Sequence, residues 1–145
     1  IWFEPGKFMV SECGYFVTQV NVMKETTATT FVSVNSGFNH LIRPMFYDSY
    51  HRIENISNPS GELKTYSVVG NICETDTFAW DRKLNEVNEG DYLVFYNAGA
   101  YGFEMSSNFN SRLKPAEVMI KDGEPYLVRR RDNWDDLLKN QVSID

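Results

Sequence analysis

A thiol and a carboxylate stand side by side at Cys73 and Glu74, inside the stretch Val69-Gly70-Asn71-Ile72-Cys73-Glu74-Thr75-Asp76-Thr77. Consecutive residues on an extended chain point to opposite faces, so the pair can address two neighbouring pockets or the two sides of one cleft. A thiol with a tuned pKa can donate a proton, and a carboxylate beside it suits an ammonium group. The plain alternative stays open: a small core hydrophobe at Cys73 and a solvated turn residue at Glu74. A second chemical stretch is Leu41-Ile42-Arg43-Pro44 followed by Tyr47. Pro44 is expected to push Arg43 out of helical geometry, so that a guanidinium stands in a fixed extended loop with a phenol about one turn further on. That pair suits a carboxylate, the fork binding it at two points and the hydroxyl supplementing it. A third stretch, Gly99-Ala100-Tyr101-Gly102, offers close backbone approach around one phenol, which suits a phosphate. With Glu4 and Lys7 around the Pro5-Gly6 turn, these residues fall at predicted strand ends and in loops fixed by Gly or Pro, where function concentrates on a rigid scaffold. Together they would read an amino acid.

The elements that must position them are mostly strands. Lys7 to Gly14 reads as a short helix that Gly14 stops. The period then changes to two: Tyr15 to Met23 puts Phe16, Val20 and Val22 on one face, and a Thr-rich turn leads to a second strand, Thr30 to Asn35. Ser36 to Asp48 is irregular. Further strands are expected at His51 to Ile56, Thr65 to Val69 and Tyr92 to Tyr96, with a short mixed segment at Phe78 to Leu84. Two closing strands, Ala116 to Lys121 and Tyr126 to Arg131, flank an Asp122-Gly123 hairpin turn. A terminal helix, Asn133 to Asn140, opens with acidic residues as the helix dipole favours. Short strands joined by Gly-, Asn- and Pro-containing turns predict a mainly β chain, an antiparallel β-barrel with a few short helices and no second domain of its own.

Bulk composition narrows the classes. The chain has 145 residues and is 42% hydrophobic, enough for one core, and its formal charge of −6 disfavours nucleic acid and acidic membrane surfaces as partners. Two cysteines and two histidines do not supply a four-ligand zinc site at the usual spacing, so no metal is expected; one disulfide stays open. No secretory or membrane-spanning stretch is evident, which makes a reduced, cytoplasmic compartment the default expectation. The opening Ile1-Trp2-Phe3-Glu4 reads as the end of a buried strand that breaks into a Pro-Gly turn, as if cut from the middle of a longer protein.

Five ordered motifs carry a resemblance: Glu4-Pro5-Gly6; Leu41-Ile42-Arg43-Pro44 with Tyr47-Asp48; Ile72-Cys73-Glu74; Gly99-Ala100-Tyr101-Gly102; and Met105-Ser106-Ser107-Asn108 with Asn110-Ser111-Arg112. From Trp2 to about Leu138 the chain resembles the C-terminal half of the pyridoxal-phosphate-dependent decarboxylases that act on diaminopimelate, ornithine and arginine, and diaminopimelate decarboxylase most of all. The resemblance implies residues 1–14 as the last strand and exit segment of a TIM-type barrel, and 15–145 as the C-terminal β-barrel domain. It implies an upstream cofactor lysine on the missing N-terminal barrel, and a head-to-tail homodimer with shared active sites. It implies Glu4 facing the pyridine nitrogen, Pro5, Gly6, Lys7 and Tyr101 on the cofactor's phosphate side, and Arg43 and Tyr47 as substrate carboxylate binders, with Lys7 and Tyr101 also beside the substrate. Cys73 is implied as proton donor and Glu74 as an ammonium contact, both reaching into the partner subunit's site.

Some positions depart from the family pattern. Lys7 stands where arginine is usual, a point charge in place of a two-point donor, and Asn35 and His40 stand where aspartates are frequent. A second anion clamp favours diaminopimelate, which has a second carboxylate, over ornithine. Sister decarboxylases of ornithine, lysine or carboxynorspermidine, and a non-catalytic β-barrel interaction module, are the alternatives. The expected reaction converts meso-diaminopimelate to L-lysine and carbon dioxide, with this stretch alone inactive.

Overall fold

The computed structural model describes residues 1–144. By internal contacts the chain divides into one unit, Ile1–Ser106, and a second that begins at Ser107. The first unit is a six-stranded sheet built from β1 (Phe16–Glu25), β2 (Thr30–Val34), β3 (Ile53–Asn55), β4 (Leu63–Val69), β5 (Thr77–Asn85) and β6 (Tyr92–Phe95), with one short helix, α1 (Arg43–Tyr47). The strand order is β3-β6-β1-β2-β4-β5. The two outer strands, β3 and β5, approach each other, so the sheet curls into a nearly closed barrel. The pairing is antiparallel throughout this sheet except between β2 and β4, which run parallel with Phe31 opposite Ser67 and Val32 opposite Val68. The expected all-antiparallel barrel is therefore corrected at one ladder. The chain leaves β2, passes through α1 and β3 and returns in the same direction, as a parallel pair requires.

Alternation fills the barrel. Val20, Val32, Val34, Val68, Leu93 and Phe95 are almost entirely shielded, and Phe95 packs its ring 5.6 Å from that of Phe16 and 5.0 Å from that of Phe78. One expected inward residue is not inward. The β1–β2 register shifts between Val20 and Val22, and Val22 is 52% exposed while Met23 packs against the core. An extra residue in one strand reverses the facing of everything after it, which strict alternation does not foresee. The mixed segment after Phe78 is a full strand, nine residues long, because β4 gives it a long partner.

One expectation near the start of the chain is revised. Residues 7–14 form a run of turns rather than a helix, with Val10 N–H and Ser11 N–H both donating to the Lys7 carbonyl. Ile1 to Glu4 is exposed. Cys13 and Cys73 are both free thiols, so the open question of a disulfide is answered. No helix among the described residues is long and apolar enough to cross a membrane.

The second unit holds a two-stranded hairpin, β7 (Glu117–Lys121) and β8 (Glu124–Arg129), and a short helix, α2 (Trp134–Leu138). Asp122 and Gly123 both take positive φ, 53° and 82°, which is the left-handed pair that a two-residue hairpin turn needs. Asn133 and Asp136 form a reciprocal cap at the start of α2, and Arg130 grips both oxygens of Asp136 at 2.5 and 2.6 Å.

Truncation of Phe95 to Ala should lower unfolding free energy in urea by about 3–5 kcal/mol, whereas Val22→Thr should change it by less than about 0.5 kcal/mol because its side chain already faces water. The guanidinium of Arg130, then the backbone bond from Asn133, hold the Asp136 carboxyl down at about 2 from 3.8. A lowered carboxylate pKa stabilises above the unfolded value and is lost as pH falls through the folded one. Amide NMR should therefore show the α2 cap intact above pH 4 and opening between about pH 4 and pH 2.

Candidate active site

The turn segment 7–14 is fastened to the loop after β6 by backbone bonds. Ala98 N–H donates to the Gly14 carbonyl at 2.8 Å, Gly99 N–H donates to the Ser11 carbonyl at 3.0 Å, and the Ser11 hydroxyl donates to the Asn97 carbonyl at 3.2 Å. A Cβ on Gly14 would lie 2.3 Å from the Gly99 Cα, so the two backbones touch in a way only glycine permits. The same docking brings Gly6 under Tyr101, whose hydroxyl sits where a Cβ on Gly6 would be, at 2.1 Å. Tyr101 itself has φ of 59°, a left-handed conformation that costs a bulky residue of the order of 1–2 kcal/mol.

Arg43 is buried, and it opens α1 rather than standing in an extended loop. Pro44 is tolerated in the first helical turn, where its missing N–H has no partner to lose, and that preference overrides the restriction on the residue before it. Helical spacing then does the positioning: residues four apart share a face, and the Arg43 guanidinium carbon lies 5.2 Å from the Tyr47 ring centroid. It also lies 5.8 Å from the Tyr101 ring centroid, so one cation sits between two phenols from distant parts of the chain. Arg43 Nη2 donates to the Ser49 hydroxyl at 3.3 Å, and Ser49 N–H donates back to the Arg43 carbonyl at 3.3 Å.

Beside this cluster lies a cavity of about 420 Å³ whose walls include Lys7, Glu12, Arg43, Ser49, Tyr50 and His51. Two cations against one exposed carboxylate make it a place for an anion. His51 is 4% exposed; its Nδ1 lies 2.8 Å from the Tyr96 carbonyl, which only accepts, so Nδ1 carries the proton. Burial pushes the His51 pKa down, the bond to Tyr96 works against that, and the charges of Arg43, Arg82 and Lys7 push it down further. These effects favour the neutral ring, whose Nε2 is a shielded acceptor with no hydrogen-bond partner among the described residues. Tyr50 is stacked by Arg82, whose guanidinium carbon is 3.9 Å from its ring centroid.

Cys73 and Glu74 stand elsewhere in the same unit, both exposed on the loop between β4 and β5. A buried carboxylate shapes that loop. Asp76 Oδ1 accepts from Phe38 N–H at 2.7 Å, and Oδ2 accepts from Ile72 N–H at 2.9 Å. Its backbone carbonyl accepts from Gly70 N–H at 2.7 Å, and a Cβ on Gly70 would lie 2.0 Å from Asp76 Oδ2. The loop is thus tied at both ends while Cys73 and Glu74 are held out at its tip.

Comparison with known proteins places this geometry. The family model described as pyridoxal-dependent decarboxylase, C-terminal sheet domain, matches residues 7–99. The chain belongs to that family. The diaminopimelate decarboxylase of Methanothermobacter thermautotrophicus is 47% identical over 140 residues, covering 95% of this chain and 32% of that protein. A crystal structure of the diaminopimelate decarboxylase of M. jannaschii in complex with L-lysine superposes with a TM-score of 0.88 at 35% identity, covering 95% of this chain and 32% of that one. A lysine/ornithine decarboxylase from Vibrio vulnificus, complexed with cadaverine, shares the fold at a TM-score of 0.65 and 23% identity, covering 72% of this chain and 29% of that one. The chain spans about a third of the length of the curated relatives it matches.

Within this decarboxylase sheet domain, the residues singled out from sequence fall into two groups. Arg43, Tyr47 and Tyr101 gather around one guanidinium, Lys7 shares the cavity wall with Arg43, and Pro5 and Gly6 make the turn that Tyr101 covers. Glu4 is exposed immediately before that turn, its carbonyl accepting from Gly6 N–H. Cys73 and Glu74 form the second group and do not line the cavity. Sequence reasoning missed Asp76 and His51. Asp76 had a signal, an acid between two strands facing glycines at 37 and 70, whereas nothing in the pattern around His51 marks it as buried.

Replacing Asp76 with Ala strands two buried backbone donors, which should cost about 2–4 kcal/mol. Amide exchange at Phe38 and Ile72 should rise first, and a urea melt gives the total.

Proposed function

We propose that this chain is the C-terminal portion of a pyridoxal-phosphate-dependent carboxy-lyase, a diaminopimelate decarboxylase that converts meso-diaminopimelate to L-lysine and carbon dioxide. The observation that carries the reading is the convergence of Arg43, Tyr47 and Tyr101 beside a cavity that Lys7 and Arg43 make cationic. The family match and the likeness to decarboxylases of diaminopimelate support it. In this reading residues 1–14 are the exit from a preceding TIM-type barrel domain and 15–145 the β-barrel domain. The enzyme works in the cytoplasm as a homodimer with shared sites.

The residues present fit the cofactor's chemistry. The Tyr101 hydroxyl, already set against the Pro5-Gly6 turn, suits the phosphate together with Lys7, and Glu4 suits a protonated ring nitrogen. Pyridoxal phosphate, held by a lysine upstream of this sequence, supplies the electron sink for the carbon that loses its carboxylate. Arg43 clamps the substrate's distal carboxylate, Tyr47 adds a hydroxyl donor, and Lys7, which lines the same cavity, contributes a point charge. The Tyr rings flanking Arg43 keep its guanidinium from swinging into solvent, so orientation is set before substrate arrives. Cys73, exposed at the loop tip, returns a proton to the α-carbon in the partner subunit's site, and Glu74 beside it receives the distal ammonium. An ornithine-type substrate has no second carboxylate for the cationic cavity.

In the full-length enzyme, Cys73→Ser or Glu74→Gln should lower kcat by about 10²–10³ with cofactor absorbance retained, and Arg43→Ala should chiefly raise KM. Carbon dioxide release is the assay. This 145-residue chain mixed with substrate and pyridoxal phosphate should release none; activity there would overturn the placement of the cofactor lysine upstream.

A further inference from the structure

The segment between α1 and β3 is short and does two things at once. Its Ser49 receives the Arg43 guanidinium and returns a backbone bond to the Arg43 carbonyl. Its His51 ring is tied to the Tyr96 carbonyl, while Tyr96 N–H donates to the Arg52 carbonyl at 2.9 Å. Tyr96 is in turn fixed where β6 ends: its hydroxyl donates to Glu54 at 2.5 Å, and its ring meets Tyr15 edge-on at 5.2 Å. One side of the segment therefore touches the anion-binding guanidinium and the other is anchored to the barrel wall, with His51 as the side-chain link between them.

We propose that His51 is a positioning residue for the anion clamp: its Nδ1–H bond to the Tyr96 carbonyl holds the Ser49 hydroxyl, and through it the Arg43 guanidinium, in place at the cavity that Lys7 also lines. The ring is suited to this because it does the work uncharged. An ammonium or guanidinium in its place would add a cation within a group that already holds Lys7, Arg43 and Arg82. The neutral imidazole donates one hydrogen bond to the barrel, keeps a shielded lone pair on Nε2, and adds no charge to its cationic surroundings. His51 touches neither the reacting carbon nor the clamp directly; it acts on binding through Ser49 and Arg43.

The inference rests on the functional reading above. Two variants of the full-length holoenzyme separate the two ring nitrogens. An Asn amide nitrogen overlays Nδ1 and can still donate to Tyr96, whereas a Gln amide reaches only the Nε2 position. H51Q should raise KM for diaminopimelate about tenfold, the value of one hydrogen bond, with kcat within about threefold of wild type. H51N should stay within about twofold on both. Assays are run at a temperature where circular dichroism shows both variants fully folded. Equal KM values for H51N and H51Q, or a loss confined to kcat, overturns the proposal. A wild-type enzyme that leaves diaminopimelate untouched overturns the functional reading instead; glutarate binding by calorimetry then carries the same comparison, with weaker binding to H51Q alone expected and equal binding to both refuting the positioning role.

Discussion

Contact between two glycine backbones, Gly14 against Gly99, is the constraint from which the site follows. Ordinary side chains at either position would hold the early turns and the loop after β6 apart by more than an ångström. With nothing between them, two backbone bonds close the gap, and the residues on either side arrive together: Lys7 and Gly6 from one segment, Tyr101 from the other. Arg43 reaches the same place from a third direction, through a helix of five residues that exists mainly to aim it. Three separate segments supply these groups, and only a barrel whose wall is already formed can bring Tyr101 within 6 Å of the Arg43 guanidinium.

The second station is built differently. Cys73 and Glu74 are exposed on a loop fixed by an inward-facing carboxylate: Asp76 accepts one backbone donor from within the loop, at Ile72, and one from the segment after β2, at Phe38. A cationic cavity and an acidic, thiol-bearing tip on one unit are complementary in charge, which matches the proposal that two copies share their sites.

How much of this was legible before any coordinates depended on whether the signal was local. The hairpin at Asp122-Gly123 and the apolar strand at Tyr92 announce themselves in a few residues, and the structure has both. The five motifs also named the residues that converge on Arg43, though a resemblance supplied their roles and pattern alone supplied only their loops. What failed was non-local or competitive. The bulge that turns Val22 outward is set by pairing with β2, and the parallel β2–β4 ladder by the path of the chain between them. At Arg43 two rules for proline competed, the restriction on the preceding residue and the preference for a helix's first turn, and the second won because α1 buries Arg43 and Pro44. His51 went unnoticed because burial of a histidine is a property of the finished wall, not of its neighbours in sequence.

Tyr101 leaves a mark on how this domain can change over time. A phenol is kept on a backbone that would relax with glycine or asparagine, so the fold carries a standing energetic handicap in the loop after β6. Wherever the phenol ceased to matter, drift would erase it, since glycine or asparagine there improves the scaffold. Its presence in a lineage is therefore a record of use, legible without a single kinetic measurement.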